Sequence, residues 1–211
     1  MFTNKGRPVA LERLSSADRK RQIAEAALRI LASQGAHRLT AMEISRALGI
    51  TDAALFRHFR DKDEIIAAAI TRFEELLEGD IDATDRPDPL DRLGAFFVRR
   101  VDKARAHPEI LALAFNDRLA EIAGPEGAAR VQRMVGRSVG FVRACLEDAQ
   151  RRRLVAADAP IEVLVWMVIG GLRGAATATA SVQKLLPAET TWAELDKLLR
   201  RTSSRRAREQ P

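Results

Sequence analysis

One cysteine, no tyrosine, two tryptophans and three histidines are spread over 211 residues. A lone thiol, Cys145, cannot close an internal disulfide, which suits a reducing compartment and makes the chain's expected location the cytoplasm. None of His37, His58 and His107 is paired with a cysteine or carboxylate at metal-ligand spacing, so no metal is expected. There is no Walker loop and no glycine-rich strand-to-helix turn, so nucleotide binding has no support and no cofactor is expected. The residues from Met1 to Ala10 are polar and basic with no apolar run behind them, unlike a secretory leader. Gly136-Arg-Ser-Val-Gly140 matches a nucleophile-elbow pattern. That motif needs a preceding strand and a later histidine, and the last histidine here is His107. The match is fortuitous, and the chain reads as a non-enzyme.

What the sequence does have is a core, a solvated surface and an uneven charge. Hydrophobic residues make up 46% and charged residues 30%, enough for a packed globular chain. The first 60 residues carry 11 Lys and Arg against 5 Asp and Glu, whereas the rest carries 24 of each. The whole net charge of +6 therefore sits at one end. A basic end on a neutral body is the footprint of a polyanion-binding module. The expected organisation is an N-terminal arm and DNA-binding unit over 1–60, a helical body over 61–202, and a basic, unstructured tail over 203–211, with arginines at 200, 201, 205, 206 and 208.

No segment alternates apolar and polar residues for more than a few positions, and helix signals recur instead. Ser15 or Ser16 opens a helix carrying Ile23, Ala27, Ile30 and Leu31, and Gly35 closes it. Thr40-Ala-Met-Glu43 is a capping box ahead of Ile44, Ala47 and Leu48. Thr51 can cap a third short helix with Leu55, Phe56 and Phe59, and Asp61-Lys-Asp-Glu64 starts a long fourth one. Segments 90–106, 108–119, 126–153, 160–183 and 191–202 follow, their ends marked mostly by prolines. The fold expected is all-α, with about nine helices and a three-helix N-terminal bundle.

Thr40 to Phe59 holds two short helices joined through Ala47-Leu48-Gly49-Ile50, where glycine permits a sharp reversal. This is the pattern of a helix-turn-helix, whose second helix fits a DNA major groove. That helix begins with the short residues Thr51, Asp52, Ala53 and Ala54, which let it approach bases and phosphates closely. Arg57 and His58 follow as donors to DNA.

Residues 19–66 resemble the DNA-binding domain of the TetR/AcrR family of bacterial transcriptional regulators. The resemblance rests on Ile23-Ala-Glu-Ala-Ala-Leu28, Gly35, Thr40, Ile44-Ser-Arg-Ala-Leu-Gly-Ile50, Ala54-Leu-Phe-Arg-His-Phe59 and Asp61-Lys62-Asp63. It implies a homodimer that binds double-stranded DNA through its N-terminal helices and a small-molecule effector through its body, most often as a repressor. By position, Thr40 would touch phosphate, Asp52, Ala53 and Ala54 would face base edges, and Arg57 would lie beside them. His58 and Lys62 would hold backbone phosphates. Phe56 departs from the tyrosine usual in the family and loses a hydroxyl contact, worth about 1 kcal/mol. A carboxylate at Asp52 suits a cytosine amino group, so it constrains sequence more than it adds affinity. Lys5 and Arg7, on either side of Gly6 and ahead of Pro8, resemble a minor-groove arm. A few relatives are architectural or cell-division proteins instead, acting through protein partners without an effector.

In the C-terminal half, Ile161 to Ala180 is nearly all apolar. Glu162, Arg173 and the absence of a second span mark it as a helix buried on every side rather than a membrane segment. The family resemblance makes it the penultimate helix, in a four-helix dimer interface with the last one near Trp192 to Leu199, with Gly170 and Gly174 allowing close approach. Phe96, Phe97, Phe115, Met134, Phe141, Trp166 and Met167 are the bulky apolar candidates for an effector pocket.

Overall fold

The computed structural model describes residues 15–79, 81 and 86–204. These form eleven α-helices and one 3₁₀ turn, with no strand among the described residues. Helix α1 (Ser16–Gln34) begins where the Ser15 hydroxyl accepts the Asp18 amide at 3.1 Å, and it ends at Gly35, whose φ of 86° only glycine adopts readily. After the 3₁₀ turn (Ala36–Arg38) come α2 (Ala41–Leu48), α3 (Asp52–Leu55) and α4 (Lys62–Glu78). The body consists of α5 (Pro89–Ala106), α6 (Glu109–Ala114), α7 (Arg118–Ile122), α8 (Gly124–Arg151), α9 (Ile161–Thr177), α10 (Ala180–Leu185) and α11 (Ala188–Ser204).

Two apolar clusters hold these helices. The first gathers Leu28, Leu31, Ile44, Leu55 and Phe59 of the N-terminal helices around Ile65, Ile70 and Phe73 of α4. It also takes in Ile110, Leu119, Val131 and Met134, so the packing runs past residue 60 into α6, α7 and the first half of α8. The second joins Phe97 and Val101 of α5, Val142 and Leu146 of α8, Val165, Val168 and Leu172 of α9, and Leu199 of α11.

Three expectations change. The segment 108–119 is two short helices, because the Asn116 side chain binds the Ala112 carbonyl and accepts the Arg118 amide at 3.0 Å. Such local side-chain bonding competes with the helical ladder and ends α6. The segment 160–183 likewise breaks at Ala178 and Thr179, both extended, so α10 intervenes and α9 is third from the end. Finally, α9 is not buried on every side within the chain. Leu164, Val165, Val168, Ile169, Leu172 and Ala176 face inward, while Val163, Trp166 and Met167 are exposed. Gly170 and Gly174 share that open face, and a Cβ at either would meet nothing within 4 Å.

The last helix, α11, continues to Ser204, and the remaining residues of the expected tail, 205–211, lie outside the described residues. Arg200 is structural there, bonded to Asp196 at 2.9 Å and reaching Asp88 at 3.4 Å. The other end of α11 is fixed by Trp192, whose indole lies over α5 where Gly94 has no side chain. A Cβ built at Gly94 would fall 2.2 Å from the indole nitrogen. Trp192 also meets Phe97, with ring centroids 5.4 Å apart. Gly94→Ala is therefore expected to displace Trp192 and destabilise the fold by about 1–3 kcal/mol, the usual cost of overpacking. Urea unfolding followed by tryptophan fluorescence measures it.

Candidate functional site

The N-terminal site is shaped by caps and one turn. The Thr40 hydroxyl accepts the Glu43 amide at 3.2 Å. The reciprocal half of the expected box does not form. The Glu43 carboxylate turns instead to Arg38 and Arg46, both at 2.9 Å, and the Thr40 amide donates to the Arg38 carbonyl. Helix α2 closes at Gly49 in the left-handed region (φ 65°), and the Ile50 amide returns to the Ser45 carbonyl at 3.0 Å. Thr51 then caps α3 by accepting the Ala54 amide at 3.1 Å. Leu55 and Phe59 sink into the core and fix which side of α3 faces out. Thr51, Asp52, Ala53, Phe56 and Arg57 are exposed, and Ala54 and His58 are half-exposed.

Folding sorts the basic residues of this region into paired and unpaired ones. Arg38 and Arg46 share Glu43, Arg60 holds Asp61 at 2.8 Å, and Lys20 reaches Glu64 at 3.4 Å. Arg57 and Lys62 have no acidic partner among the described residues, and both stand in solvent. His58 is positioned by Ser16, whose hydroxyl lies 3.3 Å from Nδ1. Thr40, Thr51, Asp52, Ala53, Ala54, Phe56, Arg57, His58 and Lys62 are thus gathered around α2, α3 and the start of α4. Lys5 and Arg7 lie outside the described residues. Met42 is also exposed, on the outward side of α2, and the apolar pattern of Ile44 and Leu48 does not single it out.

Helix α4 links this region to the body and is tied on several sides. Arg72 binds Glu25 of α1 at 2.8 Å, and Glu74 and Glu78 pair with Arg130 and Arg137 of α8. Near its C-terminal end, the Leu77 carbonyl accepts from Arg100 of α5 at 2.6 Å. Beside that bond lies a cleft between α4, α5, α6, α8 and α9. Its walls include Phe96, Ile110, Phe115, Val139, Ile169, Arg100 and Ser138. Its volume is about 50 Å³, room for a water or two against the roughly 300 Å³ or more of an ordinary ligand pocket.

Of the seven apolar candidates, Phe96 and Phe115 line this cleft, and Phe141 packs on Phe96 with centroids 5.1 Å apart. Phe97 is taken up by Trp192, and Met134 belongs to the first core. Trp166 (65% exposed) and Met167 (44% exposed) point away from the cleft, on the open face of α9. The Gly136–Gly140 segment lies inside α8, without the strand-to-helix turn that a nucleophile elbow requires. Among the described residues, no cluster of His, Cys, Asp and Glu could hold a metal ion, and no helix is long and apolar enough to cross a membrane.

Residues 23–69 match the family described as bacterial regulatory proteins, tetR family. Over this N-terminal stretch the chain is similar to the TetR family. The match runs from within α1 to the middle of α4 and takes in the helices that build the exposed cap-and-turn face. Among curated proteins, the chain is 29% identical over 118 residues to a nucleoid occlusion factor, SlmA, of Actinobacillus pleuropneumoniae, covering 52% of this chain and 58% of that one. It is 32% identical over 117 residues to the HTH-type transcriptional repressor Rv1474c of Mycobacterium tuberculosis, covering 51% and 62%. The chain therefore spans less than two thirds of the length of either relative. The solved structure of AibR in complex with isovaleryl coenzyme A and operator DNA shares the all-helical fold seen here, with a TM-score of 0.69 at 19% identity over 86% of this chain and 98% of that one.

The cap of α4 supplies a pH test. Asp61 Oδ1 accepts the Glu64 amide at 2.9 Å, while Arg60 holds the other oxygen. The Arg60 contact, with the amide bond behind it, lowers the Asp61 pKa below its ordinary value. A carboxyl lowered in the folded state stabilises above its unfolded pKa and loses that contribution as pH falls through the folded one. Asp61→Ala is expected to be less stable than the parent at neutral pH. The gap should narrow as pH drops below about 4, the ordinary aspartate value. Thermal unfolding from pH 7 to pH 3 follows it.

Proposed function

We propose that the protein is a homodimeric, sequence-specific DNA-binding transcriptional repressor, released from a palindromic operator by a small-molecule effector and acting in the cytoplasm. The observation that carries this reading is the α2–Gly49–α3 unit, with its short exposed residues and its unpaired Arg57 and Lys62. In this role α3 enters the major groove, Asp52, Ala53 and Ala54 meet base edges, and Arg57 donates to a base or phosphate. Thr40, Thr51, His58 and Lys62 hold the backbone, with Lys5 and Arg7 as a minor-groove arm. The Ser16 hydroxyl lies 3.3 Å from Nδ1 of His58 and occupies that side of the ring, which leaves Nε2 for a phosphate. Phe56 (46% exposed) offers an apolar ring where a hydroxyl would have met phosphate. Residues 1–60 act as the reading unit and 61–202 as the effector and dimer unit.

The dimer partner covers the open face of α9. Val163, Trp166, Met167, Gly170 and Gly174 fall at helical spacing on one side, and the exposed Leu198 of α11 adds to the apolar surface. A second copy on this face sets two α3 helices along one duplex, which makes the operator palindromic. The effector acts at the cleft beside Leu77. The AibR complex supports a small-molecule ligand, since that protein is bound to an acyl coenzyme A and to operator DNA. Because the cleft is nearly closed as it stands, a ligand must favour an arrangement with the helices further apart. It shifts the equilibrium by its differential affinity, typically about 1–3 kcal/mol.

A second reading is favoured by the similarity to nucleoid occlusion factors: a chromosome-organising protein on the same fold, acting through protein partners without an effector. Genome-wide footprinting in the native cell separates the two. One or a few palindromic sites beside metabolic or transport genes are expected for the repressor, and dozens of dispersed sites for the alternative. Arg57→Ala should weaken operator binding by about 1–3 kcal/mol, the range for one good base contact. Unchanged footprints in that variant would mean that α3 is not the reading helix. Trp166→Asp should leave the protein monomeric in light scattering and reduce operator affinity with it.

A further inference from the structure

A groove of about 420 Å³ runs between the first half of α4 and the junction of α7 with α8. It is within the size range of ordinary ligand pockets and open as it stands. We infer that it binds a small organic cation, an ammonium group on a short apolar chain. The floor is apolar: Ile66 (8% exposed) and Ile70 (4% exposed) of α4, with the half-buried Ile122 of α7. It is also tightly built, since α8 starts so close to α4 that a Cβ at Gly127 would fall 3.1 Å from Cδ1 of Ile70. Two exposed carboxylates stand at the rim, Asp63 in the first turn of α4 and Glu126 in the first turn of α8. Neither makes an ion pair with a described residue. Arg130, which also lines the groove, is held by Glu74, to which its Nε donates at 2.9 Å.

The charge of the groove follows from these pairings. Each rim carboxylate lies at a helix start, whose backbone amides carry roughly half a positive charge. Two full negative charges against about one positive leave the rim negative by about one charge. Arg60, which feels Asp63, is already held by Asp61 at 2.8 Å. An anion is therefore repelled, and a neutral alcohol gains only the floor. A hydrated metal ion gains nothing from three isoleucines, and no cluster of His, Cys, Asp and Glu among the described residues could hold one. An alkylamine satisfies both parts of the site, with its tail on Ile66, Ile70 and Ile122 and its head between Asp63 and Glu126. Lying against α4 and the start of α8 together, it braces the helix that supports the reading unit. This site is separate from the cleft beside Leu77 and does not depend on the chain binding an operator.

Calorimetry on the full-length protein at low ionic strength and pH 7 tests it with straight-chain amines from butyl to octyl, the matching alcohols and the matching carboxylates. The amines, protonated under these conditions, are expected to bind at least about fivefold more tightly than the alcohols, as one effective exposed ion pair provides. Carboxylates should bind weakest. Amine affinity should climb by up to about fourfold with each added methylene until the isoleucines are covered. Because Asp63 and Glu126 are exposed, Asp63→Asn and Glu126→Gln leave the core intact. Each should reduce the preference for amine over alcohol, and the double variant should abolish it. The net charge of +6 disfavours amines elsewhere on the surface, so this pattern reports the groove. Alcohols binding as well as amines, an affinity that ignores chain length, a preference that survives in the double variant, or no binding of any amine would each overturn the inference.

Discussion

The position of α4 is the constraint on which the rest of the molecule depends. At its N-terminal end it follows directly from the helix-turn-helix through the Asp61 cap, and its other end reaches the body at Leu77 and Glu78. Its 17 residues make a rod about 25 Å long. Ile65, Ile70 and Phe73 on one side anchor α1 to α3, while Glu74 and Glu78 on another are held by α8. A helix with an intact ladder transmits displacement rather than absorbing it. A shift at Leu77 therefore arrives at Lys62 unless the Arg60–Asp61 junction gives way.

The first core explains why the reading unit is not free to move alone. Residues 15–60 number too few to bury an adequate core by themselves, since chains near 40 residues are marginal without help. The structure supplies the missing packing from α4, α6, α7 and the first half of α8. Arg118 of α7 adds a polar tie to the same unit, donating to the Ala32 carbonyl near the end of α1 at 2.7 Å. The unit that carries the charge of the sequence and the unit that packs as a core thus have different edges. Charge is counted along the chain, whereas packing is shared across it.

This difference also marks what could be read in the sequence. The caps at Ser15, Thr51 and Asp61, the positive-φ turn at Gly49, and the helical class all follow from residue type at local spacing, so they were legible. The break at Asn116 and the one at Ala178–Thr179 were not, because a side-chain amide or a threonine run competes with a helix only slightly in sequence terms. The apolar length of α9 gave its burial but not its sidedness. A helix covered on one side by its own chain and open on the other has the same composition as one covered all round. For the cleft, the sequence offered large apolar residues, yet Trp166 and Met167 face outward, and the polar residues of its wall are Arg100 and Ser138. Their relation, 38 positions apart, arises only from the packing of α5 against α8.

The same reasoning applies to the charge that first pointed to a polyanion. A formal count treats every arginine alike, but Arg38 and Arg46 are committed to Glu43 and Arg60 to Asp61. These pairs shape the surface beside α3 more than they add free charge to it. Exposed pairs contribute little energy, about 0–1 kcal/mol, but each holds a guanidinium in one place and at reduced effective charge. Among the described residues, Arg57 and Lys62 beside the α3 face have no acidic partner, and neither do Arg19 and Arg29 of α1. In the proposed role such pairing trims attraction to the DNA backbone, so that discrimination falls to the short residues at the start of α3. A surface with all of its cations free would hold any duplex and read none.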